Sequence, residues 1–96
     1  MKTGRTYVIR QRILGVARDL NPAPIGMDDL EASPAIAIVR PTREELVAEY
    51  NYLITQAFLT AIAETNGECA RISAEGLDQI NQETTRDHRI WGKMGL

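Results

Sequence analysis

The sequence predicts a small α+β domain that is mostly helical, and three observations support this fold class. Residues 42–57 carry apolar side chains at helical spacing behind a helix-capping pattern. Two β-leaning runs, 58–64 and 68–72, flank Asn66-Gly67, which is a strong signal for a β-hairpin. The length of 96 residues and a charged fraction of 25% are typical of one globular domain. We therefore expect a three-helix core, a small antiparallel sheet and a C-terminal helix.

The first helix is predicted over residues 5–20. Its main apolar face follows helical spacing and comprises Ile9, Ile13, Val16, Ala17 and Leu20. Tyr7 and Leu14 lie on the other side, and this second apolar strip indicates that the helix is covered twice. The second cover is either the C-terminal helix of the same chain or a second protomer. A homodimer would draw its interface from both ends of the chain, with Tyr7, Leu14, Ile90, Trp91 and Met94.

The segment after the first helix is predicted to hold a turn, a short helix and a strand. Pro22 and Pro24 prevent a continuous helix, and residues 26–33 form the short helix, with acidic residues near its start. Pro34 ends this helix. The apolar run 35–39 is too short for a helix of its own and predicts a β-strand.

The longest predicted helix, residues 42–57, begins with Thr42 and Glu45, whose spacing forms a capping box. Its inward face is predicted from helical spacing and comprises Leu46, Tyr50, Leu53, Ile54 and Ala57. Its outward face comprises Glu44, Ala48, Asn51 and Thr55, with Val47 and Tyr52 on the flanks. We expect this outward face to carry the function.

The chain is predicted to return to helix after the hairpin. Ser73 is a favourable N-cap, and Leu77 and Ile80 are the inward positions of the last helix. Gly76 should weaken the first turn of this helix by about 1 kcal/mol relative to alanine.

The predicted domain covers residues 1–85, and residues 86–96 form a tail or helix extension that packs on the domain or on a second protomer. Charge is distributed unevenly along the chain, although the net charge is only −2. Residues 1–20 carry +4, residues 21–85 carry −8 and residues 86–96 carry +2. The ends of the sequence are therefore basic and its middle is acidic.

The sequence holds no pattern of an enzyme or of a cofactor site. Cys69 is the single cysteine, so it forms no internal disulfide, and its neighbours do not suggest a metal site. No Gly-rich phosphate loop precedes a helix, and no nucleophile has a plausible base. We therefore expect no catalytic residues, no cofactor and no metal. Since no apolar run spans a membrane and the N-terminus lacks the pattern of a signal peptide, we expect a cytoplasmic protein without a membrane partner.

Two stretches, one leading into the predicted hairpin and one leading out of it, follow a sequence pattern seen in a known family. The first is residues 42–59, which ends Leu53-Ile54-Thr55-Gln56-Ala57-Phe58-Leu59, and the second is Ala70-Arg71-Ile72-Ser73-Ala74-Glu75-Gly76-Leu77. Together they resemble the winged helix-turn-helix family: the recognition helix leading into the first wing strand, and the passage from the wing into the next helix. Ala57 stands where the family usually has glycine. The likeness covers roughly residues 7–82, and the layout is also similar to that of small winged-helix proteins of Mu-like phages and prophages.

The resemblance implies a small dimeric transcription regulator, encoded by a phage or prophage, that binds double-stranded DNA. The long helix would enter the major groove with its N-terminal residues against base edges, while the wing would touch the backbone or minor groove. Asn51 could pair with adenine, and Arg43 could contact guanine or phosphate. Carried over by position, the residues that would contact DNA are Arg40, Thr42, Arg43, Glu44, Val47, Ala48, Asn51, Asn66, Gly67 and Arg71.

The charge of the predicted contact face favours a second function. The long helix holds Arg43 as its only base against Glu44, Glu45 and Glu49, whereas Lys and Arg contacts to phosphate supply much of the affinity for DNA. The predicted wing tip holds no Lys or Arg, so the basic ends of the chain would have to supply phosphate contacts. The alternative is a winged-helix protein-interaction module, such as a phage accessory or inhibitory protein, whose acidic face binds a basic protein partner.

Overall fold

The structure is a computed structural model that describes residues 2–66 and 68–81. The helices are α1 (Lys2–Leu20), α2 (Met27–Ala32), α3 (Pro34–Ala37), α4 (Arg43–Thr55) and α5, which is described over 74–81. The strands are β1 (Ile25–Gly26), β2 (Leu59–Ala61) and β3 (Cys69–Ile72). The predicted α+β class, mostly helical with a small antiparallel sheet, is confirmed. The predictions for Gly67, Ile90, Trp91 and Met94, and for the tail 86–96, lie outside the described residues.

Within the described residues, the sheet has three antiparallel strands in the order β1-β3-β2. β3 is central, since Ala70 pairs with Ile25 of β1 and with Ala61 of β2. Ile25, Leu59 and Ala70 are at most 1% exposed, so one face of the sheet lies on the hydrophobic core. β1 has only two residues, yet its pairing attaches the loop after α1 to the hairpin.

The predicted strand at 35–39 is wrong, because this segment forms most of α3 and the turn that follows it. Pro34 takes the first position of α3, where its fixed φ suits a helix and its missing N–H is not needed. Ile36 then lies in the core with 3% of its surface exposed, whereas Ile38 is 73% exposed. In a strand both isoleucines would lie on one face, so the helical turn is what separates them. The third strand of the sheet is instead β1.

α1 packs in the hydrophobic core and is covered on two sides. Its most buried residues, each at most 2% exposed, are Ile9, Ile13, Leu14 and Ala17. Gly15 faces α5, since a Cβ built at Gly15 would lie 3.8 Å from Cδ1 of Ile80. α5 of the same chain therefore covers α1 at Gly15. Within one chain, Leu14 is 1% exposed and Tyr7 is 43% exposed. The dimer interface that includes them stays a prediction.

α4 ends at Thr55, two residues earlier than predicted, in a Schellman motif. The N–H of Ala57 donates to the carbonyl of Ile54 (3.0 Å), and the N–H of Phe58 donates to the carbonyl of Leu53 (2.9 Å). Ala57 has a φ of 67°, in the left-handed region where a β-carbon is unfavourable. Its predicted inward position is wrong, because Ala57 is exposed and follows the helix.

The hairpin loop is longer than the predicted two-residue Asn-Gly turn. Residues Ala63–Thr65 form a 3-10 turn, and Asn66 follows in a left-handed conformation with a φ of 55°. The hydroxyl of Thr65 donates to the carbonyl of Ile62 (2.8 Å) and accepts from the N–H of Cys69 (3.0 Å). Because this hydroxyl bridges both sides of the loop, the chain begins to reverse before it reaches Asn66.

Ser73 joins the start of α5 to the end of α4. It is the predicted N-cap, since its hydroxyl oxygen accepts from the N–H of Gly76 (3.0 Å). The same hydroxyl donates to the carbonyl of Ala57 (2.5 Å), and the N–H of Ser73 donates to the carbonyl of Phe58 (3.1 Å). A Cβ at Gly76 would overlap that Phe58 carbonyl and lie 2.8 Å from Cγ1 of Ile72. The junction therefore requires glycine for close approach.

Alanine should have opposite effects at two helical glycines. Gly76→Ala should destabilise the fold by about 2 kcal/mol, because its β-carbon overlaps the backbone of Phe58, although helix propensity alone favours alanine. Gly15→Ala should stabilise it by about 1 kcal/mol, because its β-carbon meets Ile80 only at ordinary contact distance. Urea unfolding followed by circular dichroism measures both free energies. Equal effects at the two positions would contradict the close approach at Gly76.

Glycine at the end of α4 should stabilise the domain. Ala57→Gly removes a β-carbon from a left-handed residue and should raise the free energy of unfolding by about 1 kcal/mol. The matched control is Ala48→Gly at an exposed position inside α4, where the same change should lower it by about 1 kcal/mol. Urea unfolding curves of both variants give the sign of each change in the free energy of unfolding. If Ala57→Gly loses as much stability as Ala48→Gly, residue 57 is not left-handed in solution.

Candidate functional site

The outward face of α4 is the candidate site. All of its predicted members are exposed: Glu44, Ala48, Asn51 and Thr55, with Val47 and Tyr52 on the flanks. The buried face opposite, at most 4% exposed, comprises Leu46, Tyr50 and Leu53. The predicted capping box at the start of α4 is confirmed. The hydroxyl of Thr42 accepts from the N–H of Glu45 (3.0 Å), and the N–H of Thr42 donates to the Glu45 carboxylate (2.9 Å).

Glu45 is also bound by α1, through Arg5. The guanidinium donates to both carboxylate oxygens, at 2.8 and 3.0 Å, and to the carbonyls of Val39 (3.3 Å) and Arg40 (3.2 Å). The hydrogen bond from Arg5, followed by the one from the backbone of Thr42, lowers the pKa of Glu45 to about 2. This acidic side chain is therefore engaged within the fold and is not free for a partner.

A second arginine of α1 binds a second carboxylate of α4. Nε of Arg10 donates to Glu49 at 2.6 Å, and the guanidinium lies 3.5 Å from the centroid of the Tyr52 ring, a cation–π contact. Two bases of the N-terminal segment thus bind the protein itself. They are not arranged as arms that extend toward phosphates.

The arginines that were predicted to contact DNA differ in their surroundings. Arg43 donates to both carboxylate oxygens of Glu31 in α2, each at 2.7 Å. Arg71 donates to the carbonyl of Pro22 at 2.6 Å, where it fastens the loop after α1 to β3. Arg40 has a left-handed φ of 55°, and in the described part of the chain its guanidinium forms no hydrogen bond or ion pair.

A groove of about 380 Å³ runs beside α4, between the start of α2 and the start of β3. The buried and half-buried residues in its lining are Gly26, Met27, Tyr50 and Cys69, and its exposed residues include Asp28, Asn51 and Glu68. Tyr50 is a buried part of the lining, and its hydroxyl donates a long hydrogen bond (3.4 Å) to the carbonyl of Glu68. Burial raises the pKa of the Tyr50 phenol, so this hydroxyl remains a donor.

A second, shallower depression of about 400 Å³ adjoins the groove on α4. Arg43 and Val47 line both depressions, and Glu44 and Ala48 complete the second. Five of the ten residues predicted to contact DNA are thus brought together on one continuous surface, which we call the α4 face: Arg43, Glu44, Val47, Ala48 and Asn51. Arg40, Thr42, Asn66 and Arg71 line neither depression.

The α4 face is acidic. Its carboxylates are Asp28, Asp29, Glu44 and Glu68, and its only base in the described residues is Arg43. Asp29 accepts from the N–H of Gly26 (2.8 Å) and so caps α2. The carboxylates of Asp28, Glu44 and Glu68 have no hydrogen bond or ion pair among the described residues. The face therefore presents unpaired negative charge to a partner.

Sequence patterns alone did not reveal the groove. Its lining comes from α2, α4 and β3, which lie far apart in the chain, and helical spacing reports only on the α4 contribution. Asp28 and Asp29 look like ordinary solvated acids at the start of a short helix. The pairing of β1 with β3, Gly26 against Cys69, is what brings them beside Glu68.

Comparison of the chain with protein-family models, with curated proteins and with solved structures finds no match. Over the described ranges 2–66 and 68–81, no helix is both long and apolar enough to cross a membrane. In the same ranges, no three His, Cys, Asp or Glu side chains form a group that could hold a metal ion.

The contact between Arg5 and Glu45 should depend on pH. Because the pKa of Glu45 is about 2 in the fold, below its ordinary value of 4.5, acid protonates the unfolded chain first. The contribution of this contact to stability is therefore complete above about pH 4.5 and is lost as the pH falls toward about 2. A double-mutant cycle with Arg5→Ala and Glu45→Gln, measured by urea unfolding, should give a coupling free energy that is smaller at about pH 2 than at about pH 6.

The control cycle pairs Glu45→Gln with Arg12→Ala. Arg12 is exposed and forms no hydrogen bond or ion pair in the described structure, so its coupling to Glu45 should be close to zero at both pH values. A coupling between Arg5 and Glu45 that stays constant over this range would show that the contact does not form in solution.

Proposed function

We propose that this chain is a winged-helix domain that acts as a protein-interaction module, and that its acidic α4 face binds a basic segment of a partner protein. The order of elements supports the winged-helix assignment: helices come first, and the long α4 leads directly into an antiparallel hairpin whose loop would be the wing. The left-handed φ of Ala57, at the position where the family usually has glycine, supports it as well. The break at Ser33 and Pro34 divides the second helix into α2 and α3.

One observation favours a protein partner over DNA: the only base of α4 is paired, while acids around it are not. Arg43 is bound to Glu31, whereas Asp28, Glu44 and Glu68 have no cation in the described structure. A DNA backbone approaching this face would meet like charge, which removes the phosphate contacts that supply affinity. Lys and Arg side chains of a protein would instead meet complementary charge, which speeds association and selects against acidic competitors.

Binding to double-stranded DNA is the second candidate, and the position of α4 supports it. Thr42, Arg43, Val47 and Asn51 are exposed at positions where a recognition helix would meet base edges. The pair of Arg43 and Glu31 is also exposed, with 61% and 39% of the two side chains accessible. Since such a pair is worth only about 0–1 kcal/mol, a phosphate could take the place of Glu31. Under this proposal the chain would be a small dimeric regulator.

A direct test titrates the protein with two fluorescent ligands at low and moderate salt: a short peptide of alternating arginine and serine, and a mixed-sequence DNA duplex. The first proposal predicts salt-dependent binding of the peptide and no binding of the duplex. Neutralising the unpaired acids should weaken peptide binding by about fivefold to tenfold, since each exposed charge pair is worth a few tenths of a kcal/mol to 1 kcal/mol. The test variant combines Asp28→Asn, Glu44→Gln and Glu68→Gln.

The matched control removes the same number of charges elsewhere on the surface. It combines three exposed acids outside the α4 face: Glu64→Gln, Glu75→Gln and Asp78→Asn. If the two triple variants lose peptide affinity equally, the loss comes from net charge alone, and the α4 face is rejected as the binding site. Duplex binding that weakens with salt and is lost in Arg43→Ala would support the DNA proposal instead.

A further inference from the structure

We infer that the outer edge of β2 is an interaction surface for a second copy of this chain, which adds its own β2 in antiparallel orientation and joins two three-stranded sheets into one. The edge of β2 is separate from the α4 face, because Leu59, Thr60 and Ala61 line neither of its depressions. Pairing at this edge therefore does not depend on the proposed function.

The outer edge of β2 carries backbone groups that β3 does not use. Just after β2, the N–H of Ile62 donates to the carbonyl of Cys69 in β3 (2.8 Å). Because hydrogen-bonded residues alternate along an antiparallel strand, the even-numbered residues of β2 bond to β3 and the odd-numbered residues point away from it. In the described part of the chain, the N–H and carbonyl groups of Leu59 and Ala61 form no hydrogen bond.

The two edges of the sheet differ in their protection. At the β1 edge, the strand has only two residues, and the N–H of Gly26 donates to Asp29 (2.8 Å). Around β2, residues 55–63 read TQAFLTAIA and contain no charged residue and no proline. Soluble proteins usually block an edge strand with charges, proline or a covering element, because an open edge accepts another strand. The edge of β2 lacks the first two of these.

The β2 strand is complementary to itself. One antiparallel register places Thr60 opposite Thr60 of the second copy, on a two-fold axis. Leu59 of each copy then faces Ala61 of the other, and their unpaired N–H and carbonyl groups bond to one another. The same register forms a Thr–Thr pair on the axis and places Phe58 opposite Ile62, and both kinds of cross-strand pair stabilise a sheet. A two-fold arrangement of this kind closes on itself and forms a dimer.

Charge favours a second copy at this edge. Residues 21–85 carry −8, so most symmetric contacts within this region would bring like charges together. The paired segment 58–62 holds no charge, so two copies of it meet without repulsion. Since the α4 face takes no part in the pairing, the dimer would present two acidic faces. A partner with two basic segments would gain affinity from the effective concentration of the second face.

Amide hydrogen exchange of the full chain, measured by NMR over a wide range of protein concentration, tests the pairing residue by residue. The amides of Leu59 and Ala61 should exchange fast in dilute solution and more slowly as the concentration rises, because only the free monomer exposes them. The amide of Thr60 is the internal control. It bonds to β3 and should be protected at every concentration.

A charge exchange on the two-fold axis tests the register. Thr60→Lys and Thr60→Glu each place like charges opposite one another and should each weaken the homodimer by about fivefold. An equimolar mixture of the two variants should restore the dimer, because Lys then faces Glu. Any effect of the neighbouring Arg71 on a monomer persists in the mixture and does not imitate this rescue. Sedimentation velocity measures the dimer fraction in each sample.

The matched control places the same two charges at Ala37, which is exposed on α3, outside the sheet. Ala37→Lys, Ala37→Glu and their mixture should leave the dimer fraction unchanged. Circular dichroism confirms that every variant is folded.

Four outcomes would overturn the inference. A chain that stays monomeric, with fast exchange at Leu59 and Ala61, leaves the edge of β2 open. Protection of these amides at every concentration would show that the same chain covers the edge. Protection that appears only when the arginine–serine peptide is added would assign the edge to a strand of a partner protein. A dimer that does not respond to the charges at Thr60, or responds equally to those at Ala37, uses another surface, such as the predicted one around Tyr7.

Discussion

The position of α4 against α1 is the constraint on which the rest of the structure depends. Apolar packing supplies most of it, and two arginines of α1 then fix the register: Arg5 on Glu45 and Arg10 on Glu49. Arg5 also donates to the carbonyls of Val39 and Arg40, which lie just before α4. One side chain therefore holds both the first turn of α4 and the segment that precedes it. Which side chains of α4 reach solvent follows from this arrangement.

The same contacts explain the charge of the surface. The first 20 residues carry +4, but their arginines at positions 5 and 10 lie against α4 and neutralise its inward-leaning acids. Glu44 receives no such partner, and Arg43 is turned toward Glu31 of α2. Arg5 and Arg10 of α1 are thereby bound to α4, whereas Asp28, Glu44 and Glu68 are exposed to solvent.

Local chemistry made part of this structure predictable. The capping box needs only Thr42 and a carboxylate three residues later, so it can be read from the sequence. The prediction of a strand at 35–39 was wrong, because Pro34 followed by a short apolar run is compatible with a single helical turn as well as with a strand. Only tertiary packing decides between the two. The groove was not predictable at all, since Asp28 and Glu68 become neighbours only through the pairing of β1 with β3.

The acids of the α4 face do not all carry the same weight in the functional argument. Glu44 and Asp28 lie in the first turns of α4 and α2, where negative charge stabilises the helix dipole by about 0.3–1 kcal/mol. Helix stability alone is thus a sufficient reason for the negative charge of Glu44 and Asp28. Glu68 precedes a strand, caps no helix, and its carboxylate has no partner in the described residues, so stability gives no reason for its charge. Since Glu68 lines the groove together with Tyr50, its charge is the one on this face that the proposed binding would use and that helix capping does not explain.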